Sequence, residues 1–337
     1  MTQTNKNKRI ENPLTAELKK FILKHPDLPN LTTAKAFVKN NPDFKKSVEQ
    51  VRDIVRLIKG ARGQAMRTMH VDFRKQLEAL KKTLPKGDTE RIEPYYLPKA
   101  NKNILVIGDI HLPYHDDAAL FASLEYGLQQ NVDTILINGD LIDFSLISRH
   151  EKDIRKRSVS YEMDTARAFL KGLRDMFPNA LILYKYGNHD IRFEKWIMQK
   201  CPELFDLPGM RLEDLLECTK HRIQVIYDKQ IIWAGKMAVL HGHEIGLMSG
   251  GVNPARSARL KLNKSVIINH FHRSTQDMGK NLGEYPYSCY SNGCLCDLFP
   301  AYMGVHNQWN HGFIHLTLDN QGNYKVVTKS IIEGKVY

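Results

Sequence analysis

The chain has 337 residues, 42% of them apolar and 26% charged, which is long enough for one large domain plus an appendage and apolar enough for a packed core. It has no apolar run of about 18 residues to span a bilayer, and its start, "MTQTNKNKRIENP", lacks the apolar stretch of a secretory signal. Five cysteines in no regular spacing fit reduced thiols, so the expected location is the cytoplasm.

The net charge of +12 is unevenly distributed. Residues 1–100 carry 22 Lys and Arg against 11 Asp and Glu, so +11 lies there and +1 on the rest. A polyanion is the natural partner of such a segment. "PLTAELKKFILKH" starts at Pro13 with its apolar residues mostly on one helical face. "LTTAKAFVKNN" reads as a second helix capped by Thr32 or Thr33. In "SVEQVRDIVRLIKGARG", Ser47 and Gln50 have capping-box spacing. Val51, Ile54, Val55 and Ile58 form an apolar stripe there, with Arg52, Arg56, Lys59 and Arg62 away from it. Three helices with a basic last one suggest a small all-helical, helix-turn-helix-like domain over residues 1–82, with those four cations as candidate nucleic-acid contacts. A helical domain with a solvated basic face is the alternative. Helix could continue over 64–82, and the proline-bearing stretch 83–102 reads as a linker.

From residue 103 onward the pattern changes. "NILVIGD", "DTILINGD" and "ALILYKYGNHD" are apolar runs with Asp-bearing ends, separated by helix-like stretches near 117–130 and 161–176. That alternation predicts an α/β layered domain over 103–337, with function at the carboxyl ends of the strands. Those ends present Asp109 and His111, then Asp140 and Asp143, then Asn188, His189 and Asp190. His241 and His243 follow in "AVLHGHEIG", and His270 and His272 in "SVIINHFHRS". A lone Asp after a strand is usually a helix cap. Five such blocks in succession point instead to divalent metal, because carboxylate and imidazole suit Mn²⁺, Fe²⁺ or Zn²⁺. So many donors exceed what one ion needs and suit two that share a carboxylate.

The series D-x-H, G-D-x-x-D, G-N-H-D, H, H-x-H over about 103–275 resembles the calcineurin-like metallophosphoesterase signature. The resemblance implies a two-sheet α/β sandwich with the site at one edge. It also implies two divalent metal ions, Mn²⁺ foremost with Fe²⁺, Zn²⁺ or Ni²⁺ as alternatives. Asp109, His111 and His272 would hold the first ion and Asn188, His241 and His270 the second, with Asp140 bridging. His189 would stand near the substrate and assist the leaving group against a metal-bridging hydroxide. His241 is favoured over His243 because it directly ends the strand "MAVL". His243, Asp143 and Asp190 are expected to orient ligands rather than bind metal. One departure is Asn269, where the family usually has glycine. The helical segment resembles, more weakly, the N-terminal modules of phage and prophage phosphoesterases.

The substrate is less legible, since one fold and metal site serve many phosphate esters. The basic N-terminal segment favours a phosphodiesterase or nuclease acting on DNA. A phosphomonoesterase with a protein-docking arm is the second reading. "RHEKDIRKR" at 149–157 could touch a phosphate backbone or be a solvated loop. The aromatic cluster after residue 285 reads as sheet core or as a base-stacking surface, and a zinc site from Cys289, Cys294, Cys296 and His306 is a further alternative. Oligomeric state is not legible.

Overall fold

Residues alternate in direction along three central strands, and both faces of each strand are covered. The computed structural model describes residues 13–60, 76–89, 91–148, 158–246, 251–300, 303 and 306–337. Arg62 and the basic loop 149–157 lie outside the described residues. The chain divides into two compact units, Met1–Glu90 and Arg91–Tyr337.

In the second unit, β2 (Asn103–Ile107), β3 (Thr134–Asn138), β4 (Leu181–Lys185) and β5 (Ile223–Ile226) run parallel. Antiparallel β11 (Gly312–Leu318), β12 (Tyr324–Ile332) and β13 (Lys335–Val336) extend this sheet to seven strands, in the order β13-β12-β11-β2-β3-β4-β5. The period of two sends Leu105, Ile107, Ile135, Ile137, Ile182 and Tyr184 towards the helices that cover one face. Those helices are α4 (Asp117–Gln129), α5 (Val159–Met176) and α6 (Ile191–Lys200). Ile104, Val106, Leu136 and Leu183 point the other way, into a second core. Burial on both faces is why these strands read as unbroken apolar runs.

That second core is closed by a six-stranded sheet in the order β1-β6-β7-β8-β10-β9. Its strands are β1 (Tyr95–Tyr96), β6 (Ile232–Ala234), β7 (Met237–Val239), β8 (Val266–Ile268), β9 (Thr275–Gly279) and β10 (Tyr287–Ser291). Its outer face packs on α7 (Pro254–Leu262) through Ala255 and Ala258. The second unit is therefore the expected two-sheet α/β sandwich, with helices outside and one core between the sheets. One expectation needs correction. Residues 91–102, read as linker, belong to this unit: Tyr95 and Tyr96 pair with Ile232 and Trp233, and Tyr95 and Leu97 pack on the inter-sheet core.

The first unit holds α1 (Pro13–Lys24), α2 (Asn30–Asn40) and α3 (Val48–Lys59), with 76–83 also helical. Leu18, Ile22, Ala34, Phe37, Phe44, Val51 and Val55 form its own buried core. The capping box is present: Gln50 N–H donates to Ser47 Oγ, and Ser47 N–H donates to Gln50 Oε1. Gly60 ends α3 at φ 103°. Neither Thr32 nor Thr33 caps α2, which begins earlier, after Pro29; the Thr33 hydroxyl donates back to the Pro29 carbonyl at 3.1 Å. The connection between α2 and α3, residues 41–47, exceeds the roughly three- or four-residue turn of a helix-turn-helix. The candidate contacts also differ among themselves. Lys59 donates to the carbonyls of Pro26 and Leu28, so it ties down the α1–α2 connection instead of offering its charge outward. Arg52 and Arg56 pair with Glu49 and Asp53 at 3.2 and 3.8 Å.

Leu183 is fully buried between the sheets. Leu183→Ala should lower unfolding stability by about 2–5 kcal/mol in urea titrations. A loss below ~1 kcal/mol would show that this core is not closely packed.

Candidate metal centre

The five polar blocks meet at the carboxyl ends of β2, β3, β4, β7 and β8. Five of the residues there adopt left-handed backbone: Asp109, His111 and Asp140 at φ 50–53°, His270 at 74° and His272 at 56°. Non-glycine residues occupy this region at a cost of order 1 kcal/mol or more each, unless the surroundings over-determine them. Adjacent glycines leave the space. A Cβ on Gly139 would lie 2.2 Å from His241 Nδ1, and one on Gly187 would lie 2.2 Å from Asp140 Oδ1.

Asp109 and Asp140 are buried at the centre. Asp109 accepts from His270 N–H at 3.0 Å and from Asn269 Nδ2 at 3.0 Å, and lies 3.3 Å from His272 Nε2. Burial pushes its carboxyl up, but His272 and His241 outweigh that and hold it at about 2. Asn269, the departure from the family glycine, thus has a function that its side chain supplies. Its Oδ1 accepts from Asn138 Nδ2 at 2.9 Å, and Asn138 also donates to the Leu240 carbonyl. This chain of amides ties the loops after β2, β3, β7 and β8 together.

Asp140 Oδ1 accepts the His189 backbone N–H at 2.7 Å, and its Oδ2 lies 3.2 Å from His241 Nε2. Burial raises the carboxyl, while His241, His189 and His111 bring it well below the usual range. Asp190 behaves differently. Its carboxylate accepts backbone N–H from Asp140, Leu141, Ile142 and Gly187 and the Tyr184 hydroxyl, at 2.6–3.2 Å. With its oxygens so committed, it fixes the Asp140 loop against the Gly187 turn.

The imidazoles are oriented through their outer nitrogens. His241 Nδ1 donates to the Asn138 carbonyl at 2.7 Å, leaving Nε2 to face the centre. His111 Nδ1 meets Asp143 Oδ1 at 3.0 Å, and its Nε2 lies 3.3 Å from His272 Nε2. His272 Nδ1 faces Cys296 Sγ at 3.8 Å, and Trp309 lies against the same ring at 4.1 Å between centroids. His270 is depressed to about 4 by burial and by His241, which leaves it neutral and able to donate a lone pair. His243 Nε2 is taken by Asp228 at 2.8 Å, so its outward nitrogen is committed away from the centre. His189 sits edge-on to His111 at 4.4 Å. Its Nδ1 donates to the Asp143 carbonyl at 2.8 Å and its Nε2 accepts from Arg192 at 2.9 Å, so both nitrogens are engaged.

Asp109, His111, Asp140, His241, His270 and His272 therefore surround one centre, with His189, Asp143 and Asp190 beside them and Asn188 on the turn between Gly187 and His189. The donor set fits metal on two observations. Among the described residues, Asn188 Oδ1 and His241 Nε2 are buried with no hydrogen-bond partner, the latter 3.2 Å from Asp140 Oδ2. Such orphaned polar atoms are costly when buried, and a bound cation would satisfy both. In addition, Asp140, His111 and His189 offer ligand atoms within 4.8 Å of one another, and so do Asp140, His241 and His270. Asp140 belongs to both groups. Cys289 and His306 join no such group among the described residues, and Cys289 donates instead to the Lys264 carbonyl, so the four-residue Cys/His alternative does not hold.

Residues 102–302 match the sequence profile described as calcineurin-like phosphoesterase. This chain belongs to the calcineurin-like phosphoesterase family. The family uses divalent metal ions, and the protein is a metal-dependent phosphoesterase. Its relatives include the Gene 54 protein of Mycobacterium phage L5, 27% identical over 66% of this chain and 91% of that protein. The Gene 54 protein of Mycobacterium phage D29 is 26% identical over 51% of this chain and 70% of its own length. Among solved structures, vacuolar protein sorting 29 from Cryptosporidium parvum shares 15% identity at a TM-score of 0.39, covering 70% of this chain and 95% of that one.

Sequence reading missed several residues that shape the site. Lys185 and Glu244 form a buried ion pair at 3.0 Å, and Glu244 accepts the backbone N–H of His241 and Gly242. A lysine ending an apolar strand and a glutamate three residues after His241 were the available signals. Cys296, Trp309 and Arg192 come from parts of the chain that no block contains or whose partners are distant in sequence.

Asn269→Gly would restore the family residue but remove a donor from Asp109. Metal affinity measured by calorimetry should fall about 10- to 100-fold; an unchanged affinity would make the amide chain dispensable. Glu162, buried beside Asp143, is pushed up to about 8 by burial and by the Asp143 charge. An unfolded glutamate titrates near ~4.3, so the folded state holds the extra proton between those values. That stabilisation is full at low pH and is lost as pH rises towards 8. Melting temperatures should show Glu162→Gln gaining on the wild type from pH 5 to pH 8; parallel profiles would refute the assignment.

Proposed function

We propose that this protein is a dinuclear phosphodiesterase acting on nucleic acid, with DNA as the substrate. The observation that carries the two-ion reading is the placement of Asp140 in two separate donor groups. Asp109, His111 and His272 would hold one ion and Asn188, His241 and His270 the other, with Asp140 shared. Mn²⁺ is the leading candidate, since carboxylate, amide and imidazole donors are hard to borderline. When bound, such a pair offsets the charge of a phosphate ester and activates water.

The chain's own residues do the rest. Asp190 holds the Asp140 loop, and Asp143 orients His111. His189 shares a donor group with His111 and Asp140, but its Nδ1 is bound to the Asp143 carbonyl; once released from Arg192, its Nε2 would take up a proton from solvent and pass it to the leaving oxygen. Both of its nitrogens being engaged supports a role other than ligand. The charge asymmetry supports nucleic acid. Residues 1–100 hold +11 of the net +12, and Lys20, Lys24, Lys35, Lys39, Lys45 and Lys46 are exposed on the first unit. Such a unit would raise the local concentration of the catalyst on a polyanion.

A panel with Mn²⁺ tests the substrate: linear and circular DNA, bis-p-nitrophenyl phosphate and p-nitrophenyl phosphate. Diester and DNA cleavage is expected, and monoester cleavage with inert diesters would favour a phosphomonoesterase with a protein-docking arm. His189→Asn should keep its metal by elemental analysis while turnover falls about 10²- to 10⁴-fold; loss of metal would contradict its role. Removal of residues 1–90 should abolish salt-sensitive DNA binding yet spare small-diester turnover, and undiminished DNA binding would contradict the charge argument.

A further inference from the structure

Arg192 lies in the first turn of α6, two residues after the clamp Asp190. Its guanidinium donates to the Asp143 carbonyl at 2.9 Å and to His189 Nε2 at 2.9 Å. Both acceptors are uncharged. Arg259 pairs with Asp277, and Arg211 lies 3.7 Å from Glu194, while the buried Arg174 spends its donors on the carbonyls of His221, Phe177, Ala180 and Arg222. Among the described residues, Arg192 is within ion-pair distance of no carboxylate, although it is only partly exposed. Arg192, by contrast, has donors to spare at the rim of a centre that handles phosphate esters, where a substrate phosphate could supply its counter-charge. Its planar fork suits two phosphate oxygens at once.

We propose that Arg192 is the residue that grips the substrate phosphate, held on His189 until phosphate arrives. Towards the described residues Arg192 uses only two of its five N–H donors, so a phosphate can be engaged before either contact is surrendered. Transfer of the guanidinium to phosphate oxygens frees the His189 Nε2 lone pair to take up a proton from solvent and pass it to the leaving oxygen. Substrate binding and exposure of the leaving-group residue are thereby one event. The inference rests on reading the centre as a phosphate-ester site, but not on the choice between diester and monoester.

The test is equilibrium binding of inorganic phosphate to Mn²⁺-loaded full-length protein by calorimetry, with metal content measured alongside. Arg192→Ala should weaken phosphate binding about 10- to 100-fold, with Arg192→Lys intermediate. Arg192→Gln keeps hydrogen-bonding capacity towards His189 and the Asp143 carbonyl while losing the charge. It guards against collapse of the loop: weakened phosphate binding with metal retained supports the proposal. Wild-type phosphate affinity in Arg192→Gln overturns it, as does loss of metal in both Arg192→Gln and Arg192→Lys, which would make the residue a prop for the Asp143 loop. Because binding is read without turnover, a protein that binds phosphate through Arg192 yet cleaves no diester would refute the nuclease reading alone.

Discussion

Two carboxylates, Asp109 and Asp140, are buried side by side, and the arrangement of the site follows from the need to compensate them. An isolated buried carboxylate costs several kcal/mol, more than most single contacts return. The protein answers with imidazoles at His241 and His272, backbone N–H groups at His189 and His270, and the Asn269 amide. Even so, Asn188 Oδ1 and His241 Nε2 have no hydrogen-bond partner among the described residues. A site that gathers so much acceptor capacity and leaves some of it unpaired is prepared for cations.

Holding such a cluster together requires backbone that does not relax. Left-handed φ at Asp109, His111, Asp140, His270 and His272 aims each side chain back into the centre at the end of its strand. Three devices oppose the strain. The Asp190 carboxylate draws the backbone of Asp140, Leu141 and Ile142 onto the Gly187 turn. The Asn138–Asn269 amide pair and the Lys185–Glu244 ion pair do the same for the histidine loops. The rigid parallel strands beneath supply the frame on which these loops are suspended.

How much of this was legible in the sequence follows from the range of each interaction. Parallel strands buried on both faces and capped by Gly-Asp or Gly-Asn are local patterns, so β2, β3 and β4 and the donors at their ends were readable. The capping box of α3 was equally local. The start of α2 was misplaced because Pro29, rather than a side-chain cap, sets it. The role of Lys59 depends on carbonyls some thirty residues away in sequence, which helical periodicity does not register. Tyr95 and Tyr96 looked like linker because a two-residue edge strand has no periodicity of its own. Asn269 was visible as a departure, but its bond to Asp109 joins residues far apart in the chain. Arg192 was hidden for the same reason: the Asp143 carbonyl it engages is on another strand end.

The central claim is that Asp140 is shared between two cation sites, and stoichiometry addresses it most directly. Titration of metal-free protein with Mn²⁺, followed by calorimetry and elemental analysis, should give two equivalents bound per chain. In Asp140→Asn both should weaken together. A single equivalent in the wild type, or an Asp140→Asn variant that still takes up two ions undiminished, would contradict it.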